Sequence, residues 1–284
     1  MESPLLGRLS LLAGLAVLLA ACAPDPAWFN WLVPKGGYDV VQGLAYGENP
    51  RQRLDIYVPD RLAGKAPVLV FFYGGSWQSG SRNQYLAFGQ AFATLGIVTV
   101  VADYRLYPEV TYPAFVEDGA QALSWVHAHA AEYGGDPGRL FVSGHSAGGY
   151  IAAMLGSDPK YLRGVGGNLS WLRGVIGIAG PYDFLPLTDP NYIAIFHGQN
   201  AEAMPVNHID GLRPPMLLAW GLDDDVVGAK NIDHMEAVLK HAGSPVETHR
   251  YPGTGHIGII LSLAPGFRGR TTLRQDMAAF IQSH

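Results

Sequence analysis

A serine hydroxyl becomes a useful nucleophile only when a nearby imidazole takes its proton, and the imidazole works best when a carboxylate fixes its tautomer. This chain offers all three groups in glycine-rich settings. Ser146 is the centre of Gly144-His145-Ser146-Ala147-Gly148, His256 ends Pro252-Gly253-Thr254-Gly255-His256, and three carboxylates stand together in Gly221-Leu222-Asp223-Asp224-Asp225. A G-x-S-x-G segment suits a sharp strand-to-helix turn, because glycines remove the β-carbons that would collide there and leave the serine pointing outward. The helix that follows begins near Ala147, so its free N–H groups face the same space and favour a developing oxyanion. A second source of donors is Gly74-Gly75-Ser76-Trp77, where Gly75 and Ser76 are assigned by position to act with the amide of Ala147. The aspartates lack the D-x-D-x-D-G spacing of a calcium loop, so no metal is expected. His145 adjoins Ser146, is aimed away from the position of its base, and is read as a packing residue.

Residues that act together from positions 75, 146, 224 and 256 need a scaffold that returns the chain repeatedly to one edge. From residue 38 short apolar runs alternate with helical patterns, the mark of a mostly parallel α/β sheet with helices on both faces. Leu54-Asp55-Ile56-Tyr57-Val58 alternates as an outer strand would. Continuous runs at 67–73 and 97–102, with shorter ones at 140–142, 175–178, 215–220 and 246–251, read as buried strands. Helices are expected at 83–95, 113–133, from 147, at 229–242 and at 269–283, with His256 on a loop. Residues 185–213 break the alternation and read as a small insertion near the site, whose Ile193, Ile195 and Phe196 either wall an acyl or aryl pocket or only cover the core. The 284 residues suit a single core, 48% of them are hydrophobic, and 24 acidic against 19 basic side chains occur without a basic run, so nucleic acid is not an expected partner.

Taken together, Leu54-Asp55-Ile56-Tyr57 with Pro59, Tyr73-Gly74-Gly75-Ser76-Trp77, Asp103-Tyr104-Arg105-Leu106, Pro113 with Asp118, Gly135-Asp136-Pro137, the Ser146 turn and the 224 and 256 loops resemble bacterial carboxylesterases of the α/β-hydrolase superfamily, in the hormone-sensitive-lipase and kynurenine-formamidase-like branch. The likeness covers residues 38–284. It implies an α/β-hydrolase fold, a triad in the order Ser146, Asp224, His256, and no cofactor. It also selects Asp224 among the three aspartates, leaving Asp223 and Asp225 as solvated or capping neighbours. One departure is Tyr73, where the family usually has a histidine that stabilises the loop backbone; the tyrosine hydroxyl is a possible substitute, and substrate range is what the change bears on. The implied activity is hydrolysis of short acyl or aryl esters through an acyl-enzyme. Alternatives are an arylformamidase or amidase, and an inert binding lipoprotein on the same scaffold.

The single cysteine, Cys22, follows Arg8, an apolar run at 9–21 and the sequence Leu19-Ala20-Ala21, resembling a bacterial lipobox. At ~1.5 Å per residue, that run covers only ~20 Å of a ~30 Å hydrocarbon layer, too short for a comfortable span. The resemblance implies a signal peptide over 1–21, lipidation at Cys22, and a tether over 22–37 ahead of a catalytic domain at 38–284. The expected location is the bacterial cell envelope, on the outer membrane facing the periplasm in a Gram-negative cell, given Ala23 after the cysteine.

Overall fold

The computed structural model describes residues 30–284; the expected signal peptide and Cys22 lie outside the described residues. Eight strands form one sheet in the order β1-β2-β4-β3-β5-β6-β7-β8. These are β1 Tyr38–Ala45, β2 Arg53–Pro59, β3 Ala66–Phe72, β4 Val98–Ala102, β5 Gly135–His145, β6 Leu172–Ile178, β7 Met216–Gly221 and β8 Val246–Tyr251. β1 pairs antiparallel with β2, and β2 antiparallel with β4, while every other neighbour is parallel. The alternating Leu54–Val58 segment is therefore not the edge. β1 lies outside it, and Leu54, Ile56 and Tyr57 are all buried.

The continuous apolar runs are explained by helices on both faces. Phe71 stacks on Phe88 with ring centroids 3.7 Å apart, whereas the ring of its neighbour Phe72 lies against the backbone at Gly119. Successive strand side chains point to opposite faces, so α1 (Leu86–Ala93) and α2 (Ala114–His129) cover opposite sides of β3. α3 (Ala147–Ser157) joins α2, and its Gly156 fits against Val175 of β6. The remaining helices are α4 Pro159–Gly164, α5 Pro190–Phe196, α6 Lys230–His241, α7 His256–Leu261 and α8 Leu273–Ser283. In α6 the buried Ile232, Met235 and Leu239 recur at spacings of three and four, giving one apolar stripe. α8 meets α1 and brings Phe280 against Phe141. Three of these helices were not expected: α4, α5, and α7, which places His256 in the first turn of a helix instead of on a loop.

Chain direction fixes where chemistry can occur. From β3 the chain moves to β4 on one side, then crosses back to β5 on the other, so the crevice beyond the C-terminal ends of β3 and β5 is the switch point where α/β sheets bind ligands. The 73–77 loop and Ser146 leave those two strands. Residues 30–34 pack beside them: Val33 is buried, Asn30 donates to the Asn83 carbonyl at 2.6 Å, and the Tyr38 hydroxyl donates to the Pro34 carbonyl. Asp118 is fully buried, accepts from the Arg105 backbone at 2.8 Å and from its guanidinium, and so ties α2 to the segment after β4.

The turn from β5 into α3 is the tightest place in the fold. A β-carbon on Gly148 would stand 2.0 Å from the Phe72 carbonyl oxygen, and one on Gly144 2.1 Å from the Gly148 backbone. Neither neighbour is a movable side-chain end. Gly148→Ala is expected to cost more than about 3 kcal/mol, seen as a melting temperature lower by roughly 6–12 °C. Gly164→Ala, with nothing within 4 Å of the added carbon, should stay within about 1 kcal/mol of the parent in the same thermal melt.

Candidate active site

Ser146 occupies the turn with φ 54° and ψ −121°, a conformation unusual for a residue with a β-carbon. Such strain costs ~1–3 kcal/mol and persists only where surrounding bonds over-determine it. Here the Ser146 N–H donates to the Ile178 carbonyl at 2.9 Å, and its own carbonyl accepts the first helical bond from Tyr150. The hydroxyl is thereby raised above the sheet, where it meets His256.

Three of the residues selected from sequence form an unbroken chain. His256 Nε2 lies 2.9 Å from Ser146 Oγ, and His256 Nδ1 lies 2.8 Å from Asp224 Oδ2. The other carboxylate oxygen accepts from the Val226 and Val227 N–H groups at 2.9 and 2.8 Å. Burial pushes the Asp224 carboxyl up, but the His256 bond and the two backbone donors outweigh it and hold the group below the usual carboxylate range. Asp223 and Asp225 are exposed on either side, as expected of neighbours outside the chain of bonds. The two loops are pressed together: a β-carbon on Gly221 would stand 2.1 Å from the Thr254 carbonyl oxygen.

His145 is buried, and its ring lies 4.8 Å from the His256 ring between centroids, beside the base instead of away from it as expected. Its Nε2 is 2.9 Å from the carbonyl oxygen of His256, an arrangement in which the neutral ring donates. Burial, with the His256 ring as a second cause, pushes its pKa down to about 3. The residue before the nucleophile thus holds the backbone of the residue that supplies the base.

Ser76 and Ala147 line a cavity of about 230 Å³ together with Ser146. Ala147 is the first residue of α3, so its N–H has no intrahelical acceptor. Gly75 (φ 129°) makes the turn behind, its carbonyl accepting from Gln78 and Ser79, and Ser76 and Trp77 follow with φ 55° and 59°. Tyr73 sits beneath this loop in a buried polar network. Its hydroxyl donates to Asp103 Oδ1 at 2.8 Å and accepts from Arg51 at 2.7 Å, its carbonyl accepts from the Tyr104 hydroxyl, and Arg82 joins Asp103 to Asp55. The hydroxyl, at the position where the family usually has a histidine, bonds the Asp103 and Arg51 side chains and not the loop backbone, while Arg51 separately donates to the Gly80 carbonyl.

The insertion contributes to the cavity through residues other than Ile193, Ile195 and Phe196. Ile195 and Phe196 are fully buried, Phe196 against Trp77 at 4.8 Å between ring centroids, and Ile193 points toward solvent. The wall is made by Phe184, Leu187 and Tyr192, and the Tyr192 hydroxyl donates to Ser76 Oγ at 3.1 Å. Asp189 caps α5 by accepting from Asn191, with Pro190 in the first turn. That Asp-Pro pair is a sequence signal for a helix start, from which the positions facing the cavity follow.

A sheet of this order with a Ser-His-Asp chain of bonds at its switch point defines an α/β-hydrolase. Residues 54–239 match the BD-FAE family, and the chain belongs to it. Among curated relatives, it is 28% identical over 267 residues to the isoprenylcysteine alpha-carbonyl methylesterase of Arabidopsis thaliana, covering 86% of this chain and 62% of that protein. It is 28% identical over 277 residues to the esterase LipC of Mycobacterium tuberculosis, covering 85% and 68%. The chain spans 52–64% of the length of the plant methylesterases that it matches. A propionate-bound esterase from Thermogutta terrifontis superposes with a TM-score of 0.69 at 27% identity, covering 88% of this chain and 94% of that one.

The His145 imidazole gives a stability prediction with a defined sign. Unfolded, it takes a proton near pH ~6.5; folded, it stays neutral down to about 3. The unfolded state therefore binds the extra proton between those values, and stability falls as pH drops through that window. The lowered Asp224 carboxyl acts in the same direction at lower pH. The urea midpoint of the parent should fall between about pH 7 and about pH 4.5, and His145→Gln, which keeps a side-chain donor, should fall less.

Proposed function

We propose that this protein is a serine carboxylic-ester hydrolase working through an acyl-enzyme, with Ser146 as nucleophile, His256 as general base and acid, and Asp224 as the group that fixes the imidazole. The observation that carries the reading is the continuous contact from Ser146 Oγ through both His256 nitrogens to the buried Asp224. His256 takes the hydroxyl proton as Ser146 Oγ attacks the ester carbonyl. The tetrahedral oxyanion is held by the amide of Ala147 and those of the Gly75-Ser76 turn. His256 then gives the proton to the leaving alcohol as the ester C–O bond breaks, and a water deprotonated by the same imidazole releases the acid.

Substrate size follows from the cavity. At about 230 Å³ it is smaller than the ~300–1,000 Å³ that encloses a drug-sized ligand, and Trp77, Phe184 and Leu187 make much of its wall apolar. A short acyl or an aryl group suits it, and the propionate-bound relative supports the same scale. We further propose that Cys22 is lipidated and that the domain works at the bacterial cell envelope, a reading supported by the lipobox-like Leu19-Ala20-Ala21-Cys22.

Ser146→Ala and Asp224→Asn should each lower kcat for p-nitrophenyl acetate by on the order of 10³-fold or more while leaving the melting temperature near that of the parent. Undiminished turnover by Ser146→Ala would overturn the assignment. Tyr192→Phe removes one hydrogen bond to Ser76 and no packing volume, so a fall in kcat of roughly 5-fold is expected with folding unchanged. The check is a steady-state profile over acetyl, butyryl and longer esters, in which the shortest should be turned over fastest.

A further inference from the structure

A second concavity, of about 420 Å³, lies behind the triad, and the site described above does not use it. His145 touches it, and aliphatic side chains of α7 and the following turn, including Ile260, Leu261 and Leu263, form much of its lining. Two of its lining residues, Leu32 and Ile257, are 45% and 58% exposed, and Trp31 beside Leu32 is 72% exposed. Three large apolar side chains so exposed around an apolar hollow are unusual for a surface meeting only water.

Charge is arranged to match. Residues 30–37 and 256–270 contain no carboxylate, in a chain with 24 of them, and they carry Lys35, Arg268 and Arg270. Lys35 and Arg270 are exposed, and the Arg270 guanidinium lies over the ring of Phe267, which lines the hollow. Tryptophan with aliphatic neighbours and a cationic fringe suits the boundary between lipid headgroups and acyl chains. Sequence adds a geometric argument. Cys22 precedes Asn30 by eight residues, and at ~3.5 Å per residue the intervening chain spans at most ~28 Å. A lipid on Cys22 would hold this face within that distance of a bilayer.

We propose that the surface formed by Trp31, Leu32 and Ile257 docks onto an anionic lipid bilayer. The proposal rests on the lipid anchor at Cys22, which supplies the proximity. Docking inserts the three apolar side chains among the lipid headgroups, with Lys35 and Arg270 at phosphate level, and it leaves the cavity at Ser146 on a different part of the same sheet edge.

The test uses the full chain produced in bacteria, purified in detergent and reconstituted into vesicles of phosphatidylethanolamine and phosphatidylglycerol, with and without phosphatidylcholine brominated on its acyl chains. Metabolic labelling with an alkyne-bearing fatty acid, lost in Cys22→Ser, reads the anchor separately. The expected result is that bromine quenches the Trp31 part of the emission, measured as parent minus Trp31→Phe. Leu32→Asp with Ile257→Asp should abolish that quenching while leaving p-nitrophenyl acetate turnover unchanged. Labelled protein whose Trp31 emission is untouched by bromine overturns docking and leaves the anchor standing. Unlabelled protein overturns the anchor, and its Trp31 emission then judges docking alone on the same vesicles. A concentration-dependent dimer with Trp31 unquenched assigns the surface to a second copy and also overturns the proposal.

Discussion

Everything chemical in this molecule depends on one backbone turn, in which Ser146 is held at a positive φ with glycines pressed against carbonyls on both sides. A serine in an ordinary strand or helix would lie along the sheet or against it. The forced bend lifts Oγ clear of the β-strand ends and directs the first N–H groups of α3 into the same space. The strain of the bend is opposed locally, by the Ile178 carbonyl and by close packing on the end of β3. The rest of the fold keeps β3, β5 and β6 in register so that these contacts exist.

The second requirement is that the base arrive at a fixed place, although His256 is far from Ser146 along the chain. Two bonds set the imidazole at its nitrogens, and a third holds its backbone through His145. The acid loop and the base loop also touch each other at Gly221. On the opposite side of the crevice, Arg51, Asp55, Arg82 and Asp103 build a charged platform under Tyr73. Removing one member of such a platform leaves a buried charge or polar group without its partner, which costs more than the pair contributes when intact.

The parts of the fold and site that sequence revealed are those in which one local pattern carries the signal. Buried parallel strands require continuous apolar runs, and β3 and β4 were plain for that reason. The Ser146 turn was plain because its glycines are sterically obligatory. β1 was not named as a strand because Tyr38-Asp39-Val40-Val41-Gln42-Gly43 buries only Tyr38 and its pattern is interrupted by a bulge between Val41 and Leu44. Asp103 and Arg82 gave no local hint of partnership, since only the sheet brings residues 51, 55, 73, 82 and 103 together. Sequence left Ile195 and Phe196 open between pocket wall and core because hydrophobicity marks burial without saying which surface a side chain is buried against. In α5 those two turn inward, Phe196 onto Trp77, and the residue that reaches the donor loop is the half-polar Tyr192.

The insertion between β6 and β7 carries none of the three residues of the Ser146-His256-Asp224 chain. It leaves the sheet after the strand beside the nucleophile and returns before the acid, and a single side-chain hydrogen bond, from Tyr192 to Ser76, joins it to the donor loop. Elsewhere it is bonded firmly into the scaffold: the Ile195 carbonyl accepts from the Tyr112 N–H, the Ala203 carbonyl accepts from the Tyr150 hydroxyl, and Asn231 Oδ1 accepts from the Tyr182 and Asp183 N–H groups. A version of this segment altered over evolutionary time can therefore vary the side chains that face the cavity without re-solving the geometry of catalysis, provided that it keeps those anchors.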